Sequence, residues 1–252
     1  MTSPYSLQGK IIVITGASSG IGRQCAIQCS QLGARVIAIG RNQQRLSEVA
    51  ALLEGEGHET ISYDLTDLNG IAALVGQIHE RHGKVDGLIH SAGIERTAPS
   101  KLLTPQDYET LLSINTVSGF ELVRQLCQVK HFNSGGSVVL IASISGVIAR
   151  SGLTAYAASK GALISGARVL ALELAKRKIR VNCVSPGTVK TPLMESYLST
   201  LSEADYKKRI DGFPLGLGEP SDIAHACVFL LSDASKWMTG QNLIIDGGYT
   251  IR

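Results

Sequence analysis

Tyr156 and Lys160 stand four residues apart in the stretch Ala155-Tyr-Ala-Ala-Ser-Lys160. On a helix that spacing puts both side chains on one face, one turn apart. A lysine ammonium held beside a phenol favours the phenolate, drawing its pKa from about 10 towards neutrality. A phenol tuned in this way can give or take a proton at a carbonyl or alcohol oxygen. Of the seven tyrosines, only Tyr156 has lysine at the fourth position after it. A second chemical feature is Thr15-Gly16-Ala-Ser-Ser-Gly20-Ile-Gly22, directly after an apolar run. Glycines permit a tight turn and close approach of a pyrophosphate, and the following helix turns its first amides towards negative charge.

The rest of the chain reads as a frame for these two features. Short Ile- and Val-rich runs fall at 10–14, 34–39, 59–63, 87–90, 137–142, 179–184 and 242–246. They are continuous rather than alternating, as in strands buried on both faces. Between them lie amphipathic stretches at 20–32, 43–54, 67–82, 105–131, 155–178 and 221–232. This alternation predicts a doubly wound α/β (Rossmann) fold, a parallel sheet with helices on both faces joined by right-handed crossovers. No linker or repeat divides the chain, so residues 1–252 are expected to form a single domain. The stretch 188–220 lacks a clear period and is expected to be a mobile lid over the carboxyl ends of the strands.

The formal charge of +3 is too small to argue for nucleic acid or a membrane surface. No apolar run reaches the length of a membrane span, and the N-terminal segment lacks a signal-peptide layout. A cytoplasmic protein is expected. Cys25 and Cys29 share a helix face but have no nearby ligands for zinc. They read, with Cys127, Cys183 and Cys227, as buried free thiols, and no metal site is expected.

Further signposts complete the pattern: Asp64 in Asp64-Leu-Thr-Asp67, His90-Ser91-Ala92-Gly93, Asn115 in Ser113-Ile-Asn-Thr116, Ser143, Pro186-Gly187 and Asp246-Gly247-Gly248. Over essentially its whole length the chain resembles the short-chain dehydrogenase/reductase family. It departs at His90-Ser91, where the family has Asn-Asn. The resemblance implies seven parallel strands in the order 3-2-1-4-5-6-7. It also implies a catalytic set of Ser143, Tyr156, Lys160 and Asn115. In that set Tyr156 exchanges the proton, Ser143 donates a hydrogen bond to the substrate oxygen, and Lys160 holds the nicotinamide ribose and lowers the phenol pKa. Asn115 holds a water that links Lys160 to solvent. His90 is expected to be a packed core histidine.

The implied cofactor site runs through Gly16, Ser18, Ser19, Gly20, Ile21 and Gly22, then Arg41 and Asn42, Asp64 and Leu65. It continues through Ser91, Ala92 and Gly93, Tyr156 and Lys160, and ends with Pro186, Gly187, Val189 and Thr191. The second strand ends in Gly40-Arg41-Asn42 without the acid that binds ribose hydroxyls in NAD enzymes. Arg41 can instead pair with a 2′-phosphate, so NADP(H) is expected over NAD(H). Ser143, Ile144, Tyr156 and Gly187 are expected to face the substrate, with Glu95, Arg96 and Arg150 as hints of a polar one. The segment 211–223 and the C-terminal strand resemble 3-oxoacyl-carrier-protein reductases, which implies a carbonyl reductase. A dehydrogenase of a sugar or other small polar alcohol is the second reading, and a catalytically silent NADP(H) sensor the third. Small and apolar residues appear on more than one face of the helices at 105–131 and 155–178. A homotetramer is therefore expected, with those helices paired across a two-fold axis.

Overall fold

The computed structural model describes residues 3–199 and 201–251. Met1, Thr2, Arg252 and Thr200, the last within the expected lid, lie outside them, as do the side chains of Ser196 and Tyr197. The strands are β1 (Ile11–Thr15), β2 (Arg35–Gly40), β3 (Glu59–Ser62), β4 (Val85–His90), β5 (Phe132–Ile141), β6 (Arg180–Pro186) and β7 (Asn242–Ile245). All pair in parallel in the order β3-β2-β1-β4-β5-β6-β7. A parallel sheet covered by helices is what the alternation of apolar runs and amphipathic stretches predicts, and its strand order is the one that the family resemblance implies.

Side chains alternate across the sheet and build two cores. On one face Val13, Ile37, Ile39, Leu88, Val138 and Leu140 meet α3 (Ile71–His82), α5 (Ser118–Leu126) and α6 (Thr154–Leu174). On the other, Ile12, Ile14, Val36, Ala38, Ile89 and Val139 meet α1 (Gly20–Gln31), α2 (Gln43–Ala50) and α9 (Pro220–Leu231). Because β1, β2, β4, β5 and β6 feed both cores, their runs of Ile and Val cannot alternate with polar residues. Capping fixes several helix starts: Asn42 Oδ1 accepts from Arg45 N at 2.9 Å, and the Asp222 carboxylate accepts from Glu219 N at 2.8 Å. All five cysteines are free and buried. Among the described residues no helix is long and apolar enough to cross a membrane.

The stretch 105–131, expected as one helix, is three pieces. α4 (Pro105–Leu112) and α5 are joined by a π-helical turn at Ser113–Val117, and the helix stops at Leu126. The wider turn carries Asn115, and past it Gly119 packs against the His90 ring, where a Cβ would come within 2.8 Å of ring carbon Cδ2. β5 begins at Phe132, five residues before the expected start, because Phe132 pairs with Val85 across a register shift. The intervening Asn-Ser-Gly-Gly reads locally as a turn, yet Gly136 lets the strand approach the Asp86 carbonyl.

The stretch 188–220 holds two helices, α7 (Pro192–Leu198) and α8 (Glu203–Ile210). Its ends are tied together: Lys190 N donates to Gly218 O at 2.9 Å and Gly218 N to Thr188 O at 3.0 Å. Of the apolar residues in 105–131, Leu111, Leu122 and Leu126 are buried in the protein's own core, and Phe120 packs on Gly166. The apolar residues left outward on this side are instead Val117, Val169 and Leu172.

Candidate active site

A cleft of about 490 Å³ opens at the carboxyl ends of the strands, around the point where strand order reverses between β1 and β4. Every residue expected to bind the cofactor lines it except Gly22, and all four expected to face the substrate do. Gly22 serves from behind. A Cβ there would fall 2.4 Å from Gly16 O, so the bare glycine lets α1 close onto the turn. Gly16 has φ of 65°, and a Cβ would meet the backbone of Ala92 at 2.8 Å. Ser19 gives α1 no side-chain cap, and its first turn holds no acid. The amides at that helix start therefore remain available to an anion. A glycine cradle, an uncapped helix start and a long cleft fit a dinucleotide.

The turn after β4 is held by Thr15. Its hydroxyl accepts from the amides of Ser91 and Ala92, both at 3.2 Å, and lies 3.0 Å from His90 Nδ1. With both lone pairs taken, Thr15 must donate its proton to His90, which puts the imidazole proton on Nε2. Among the described residues His90 Nε2 is buried without a hydrogen-bond partner. Burial, aided by the charge of Lys160, pushes the His90 pKa down to about 3. His90 is thus the packed core histidine expected, a neutral strut where the resemblance led to Asn.

Ser143, Tyr156 and Lys160 converge on the cleft from the end of β5 and the first turns of α6. Ser143 Oγ accepts from Ser145 N at 3.1 Å, and its hydroxyl is near enough to the Tyr156 phenol to favour the phenolate. Lys160 is buried, donates to Ile141 O at 2.8 Å and sits 5.8 Å from the Tyr156 ring centre. Gly93 keeps the ammonium uncovered on one side, since a Cβ there would stand 3.3 Å from Nζ.

Spacing predicts that Lys160 lowers the phenol pKa; the structure corrects this. Desolvation raises the Tyr156 pKa and the charge of Glu95 raises it further, while Ser143 and Arg150 pull it down. Lys160 itself is brought down to about 8 by burial. The Lys160 ammonium donates to the Ile141 carbonyl, and Lys160 is not among the groups that set the phenol's balance.

The Asn115 amide is committed to protein partners. Oδ1 accepts from Ile94 N at 2.8 Å, while Nδ2 donates to Ile94 O at 2.9 Å and Ser159 Oγ at 3.0 Å. Its side chain clamps the Gly93-Ile94 turn, a role that the spacing did not disclose. Of the three charged residues singled out as hints, Glu95 and Arg150 line the cleft, whereas Arg96 pairs with Asp107 at 2.5 Å. Arg45 and Arg209 also line it and were missed. Arg45 follows Arg41 by one helical turn, a usable signal; Arg209 lies in a charged helix that reads as solvated. Arg41 sits at the far end, where its charge helps hold the Asp64 carboxyl below its usual range, after the Thr66 amide.

A family model described as enoyl-(acyl carrier protein) reductase matches residues 16–250. A 3-oxoacyl-[acyl-carrier-protein] reductase of Thermotoga maritima is 34% identical over 97% of this chain and 99% of its own. The D-threitol dehydrogenase of Mycolicibacterium smegmatis is 35% identical over 98% and 95%. The solved structure of a putative NAD(P)-dependent gluconate 5-dehydrogenase from Beutenbergia cavernae, with bound NADP, superposes with a TM-score of 0.89. It is 32% identical and covers 99% of this chain and 100% of its own. The chain belongs to the short-chain dehydrogenase/reductase family. It is an NAD(P)-dependent oxidoreductase of the alcohol–carbonyl pair.

The depressed His90 pKa has a measurable consequence. Between about 6.5, the unfolded value, and 3, the unfolded chain binds a proton that the folded chain refuses. Stability contributed by neutral His90 is therefore full above pH 6.5 and lost as pH falls through this window. Urea unfolding at pH 7 and pH 5 is expected to show a loss roughly 2 kcal/mol larger for wild type than for His90→Asn. Equal losses in the two proteins would place His90 in a solvated setting.

Proposed function

We propose that the protein is an NADP(H)-preferring carbonyl reductase in which Tyr156 delivers the proton to the substrate oxygen. The observation that carries this reading is the convergence of Ser143, Tyr156 and buried Lys160 on one wall of the cleft. The hydride is the contribution of a bound nicotinamide dinucleotide. Gly16, Ser18, Ser19 and Gly20 would cradle its pyrophosphate, Asp64 and Leu65 its adenine side, and Lys160 its nicotinamide ribose. Ser143 and Tyr156 then converge on one oxygen: the serine donates to the developing negative charge and the phenol gives up its proton. A phenol whose pKa is raised keeps that proton at neutral pH, which suits donation to a carbonyl and hence reduction. The relative named for 3-oxoacyl chains and the one named for D-threitol differ in substrate, so this frame supports the reaction type more than any one ketone.

Tyr156→Phe is expected to remove nearly all turnover, since only the phenol oxygen is lost, while dinucleotide affinity stays within about threefold. Retention of a tenth of wild-type kcat would reject Tyr156 as the proton donor.

At the adenosine end Arg41 and Arg45 flank the cleft and no acid follows β2. A guanidinium there matches a 2′-phosphate with charge-assisted bonds, worth about 1.5–3 kcal/mol, or roughly 10- to 150-fold in affinity. Titration of Arg41→Ala should show that loss with NADPH and little change with NADH. Equal losses, or a wild-type preference for NADH, would overturn the cofactor assignment.

We also propose a homotetramer. The outward Val117, Val169 and Leu172, with Trp237, Ile244 and Ile251 near the C-terminal strand, leave two apolar areas for neighbouring subunits. Light scattering at micromolar concentration should give about 107 kDa for four chains of 26.7 kDa. A monomer mass would reject this assembly.

A further inference from the structure

Beside the phenol, the cleft wall carries an ion pair that neither gives the transferred proton nor belongs to the expected dinucleotide site. Glu95 Oε1 lies 3.9 Å from Arg150 Nη2, and the two side chains are only 17% and 23% exposed. Glu95 comes from the turn after β4, two residues past Gly93, and Arg150 from the loop before α6. Taking the Glu95 carboxylate largely out of water is costly unless hydrogen bonds repay it. The separation of the pair exceeds the 2.7–2.9 Å of a direct charge-assisted bond. The neighbouring Arg96–Asp107 pair, by contrast, closes to 2.5 Å with its arginine half exposed, and it serves the start of α4. Apart from Arg150, Glu95 has Thr97 Oγ1 at 3.2 Å as a donor. An ionised carboxylate accepts about four hydrogen bonds and gives none. Both charges reach the reacting group: Glu95 raises the Tyr156 pKa and Arg150 lowers it.

We infer that the substrate is polyhydroxylated, a sugar, sugar alcohol or related hydroxyketone. A hydroxyl on the carbon next to the reacting one donates to Glu95, and Arg150 balances the charge. This deepens the oxidoreductase reading and rests on it. A hydroxyl is donor and acceptor at once, so it can satisfy the carboxylate and take a bond from the guanidinium. A 3-oxoacyl thioester, the class that the sequence resemblance suggested, presents only alkyl carbons next to the reacting carbon, with the thioester carbonyl one carbon further on. Neither donates to oxygen with comparable strength, and Glu95 would lose water without gaining a partner. A carboxylate or phosphate at the same place would meet Glu95 as like charge. In reduction, a hydride from the dinucleotide adds to the carbonyl carbon as the Tyr156 proton goes to its oxygen, giving a vicinal diol. Oxidation is the reverse.

The test is a set of ketones that contains one pair matched but for one hydroxyl, 1-hydroxy-2-butanone and 2-butanone, together with 1,3-dihydroxyacetone and acetoacetyl-CoA, assayed with the full chain and NADPH or NADH. Wild type should reduce 1-hydroxy-2-butanone with kcat/KM at least about 30-fold above 2-butanone, because a site built to bond a hydroxyl rejects the analogue lacking it. Glu95→Gln should shrink that ratio about tenfold or more. A wild type that reduces 2-butanone or acetoacetyl-CoA as efficiently as the hydroxyketones would overturn the substrate class and leave the oxidoreductase reading standing. So would a Glu95→Gln variant whose efficiency falls equally on both members of the matched pair. Failure to reduce any of the four with either dinucleotide, or to oxidise xylitol or 2-butanol, would bring down both.

Discussion

Thr15 of β1 pairs with His90 of β4, and His90 pairs with Leu140 of β5. Three strands therefore end level with one another, and the chain leaves each of them into a different wall of the cleft. From Thr15 it enters the glycine turn; from His90, the Gly93-Ile94 turn; from Ile141, the bend that carries Ser143. Side chains alternate along a strand with a period of two, so a slip of one residue would turn the Thr15 hydroxyl away from the Ser91 and Ala92 amides. The two cores enforce the register, because the same slip would exchange Val13 and Ile14 between them. Packing energy spent on the sheet thus fixes the place of groups that contribute nothing to packing.

The existence of the strands and of most helices was legible because both signals are local: continuous Ile and Val for strands buried twice, and a 3.6-residue period with caps for helices. The order of the strands came from the family resemblance. What escaped was set by distant contacts. The break at Ser113–Val117 follows from Asn115 reaching Ile94 and from Gly119 seating the His90 ring, neither of which leaves a mark on the apolar period of 105–131. The early start of β5 is hidden in Asn-Ser-Gly-Gly, residues that propensity assigns to a turn. Helices α7 and α8 were missed because both are short, α8 is charged along most of its length, and α7 turns Pro192, Leu193 and Met194 towards the cleft.

For the site, motif spacing located the residues that line the cleft but not what each of them touches. Tyr156, Lys160 and Ser143 were found because their order along the chain is itself a signature. Their electrostatics were not. The effect of Lys160 on the phenol depends on where the ammonium is spent and on which charges face the ring from other elements. Glu95 and Arg150 are far apart in sequence and meet only once the loops after β4 and β5 fold towards each other. Arg96, adjacent to Glu95 and equally charged, turns instead to Asp107 and the cap of α4. Nothing in the local sequence separates these two fates.

A buried ammonium is an expensive object, and Lys160 shows how the fold accommodates one. Burial brings its pKa to about 8, so near neutral pH the charged form persists with little margin. One hydrogen bond to Ile141 O anchors it to the strand end, and the Glu95 carboxylate adds opposite charge from across the cleft. That carboxylate also makes the Tyr156 proton harder to remove, and Arg150 offsets the effect. Glu95 is therefore shared between holding the lysine charged and holding the phenol protonated. Both demands point the same way for a group that must give a proton to a carbonyl oxygen and then recover it. The ion pair at the cleft wall sets the charge balance of the reacting groups, whichever hydroxyl it also receives.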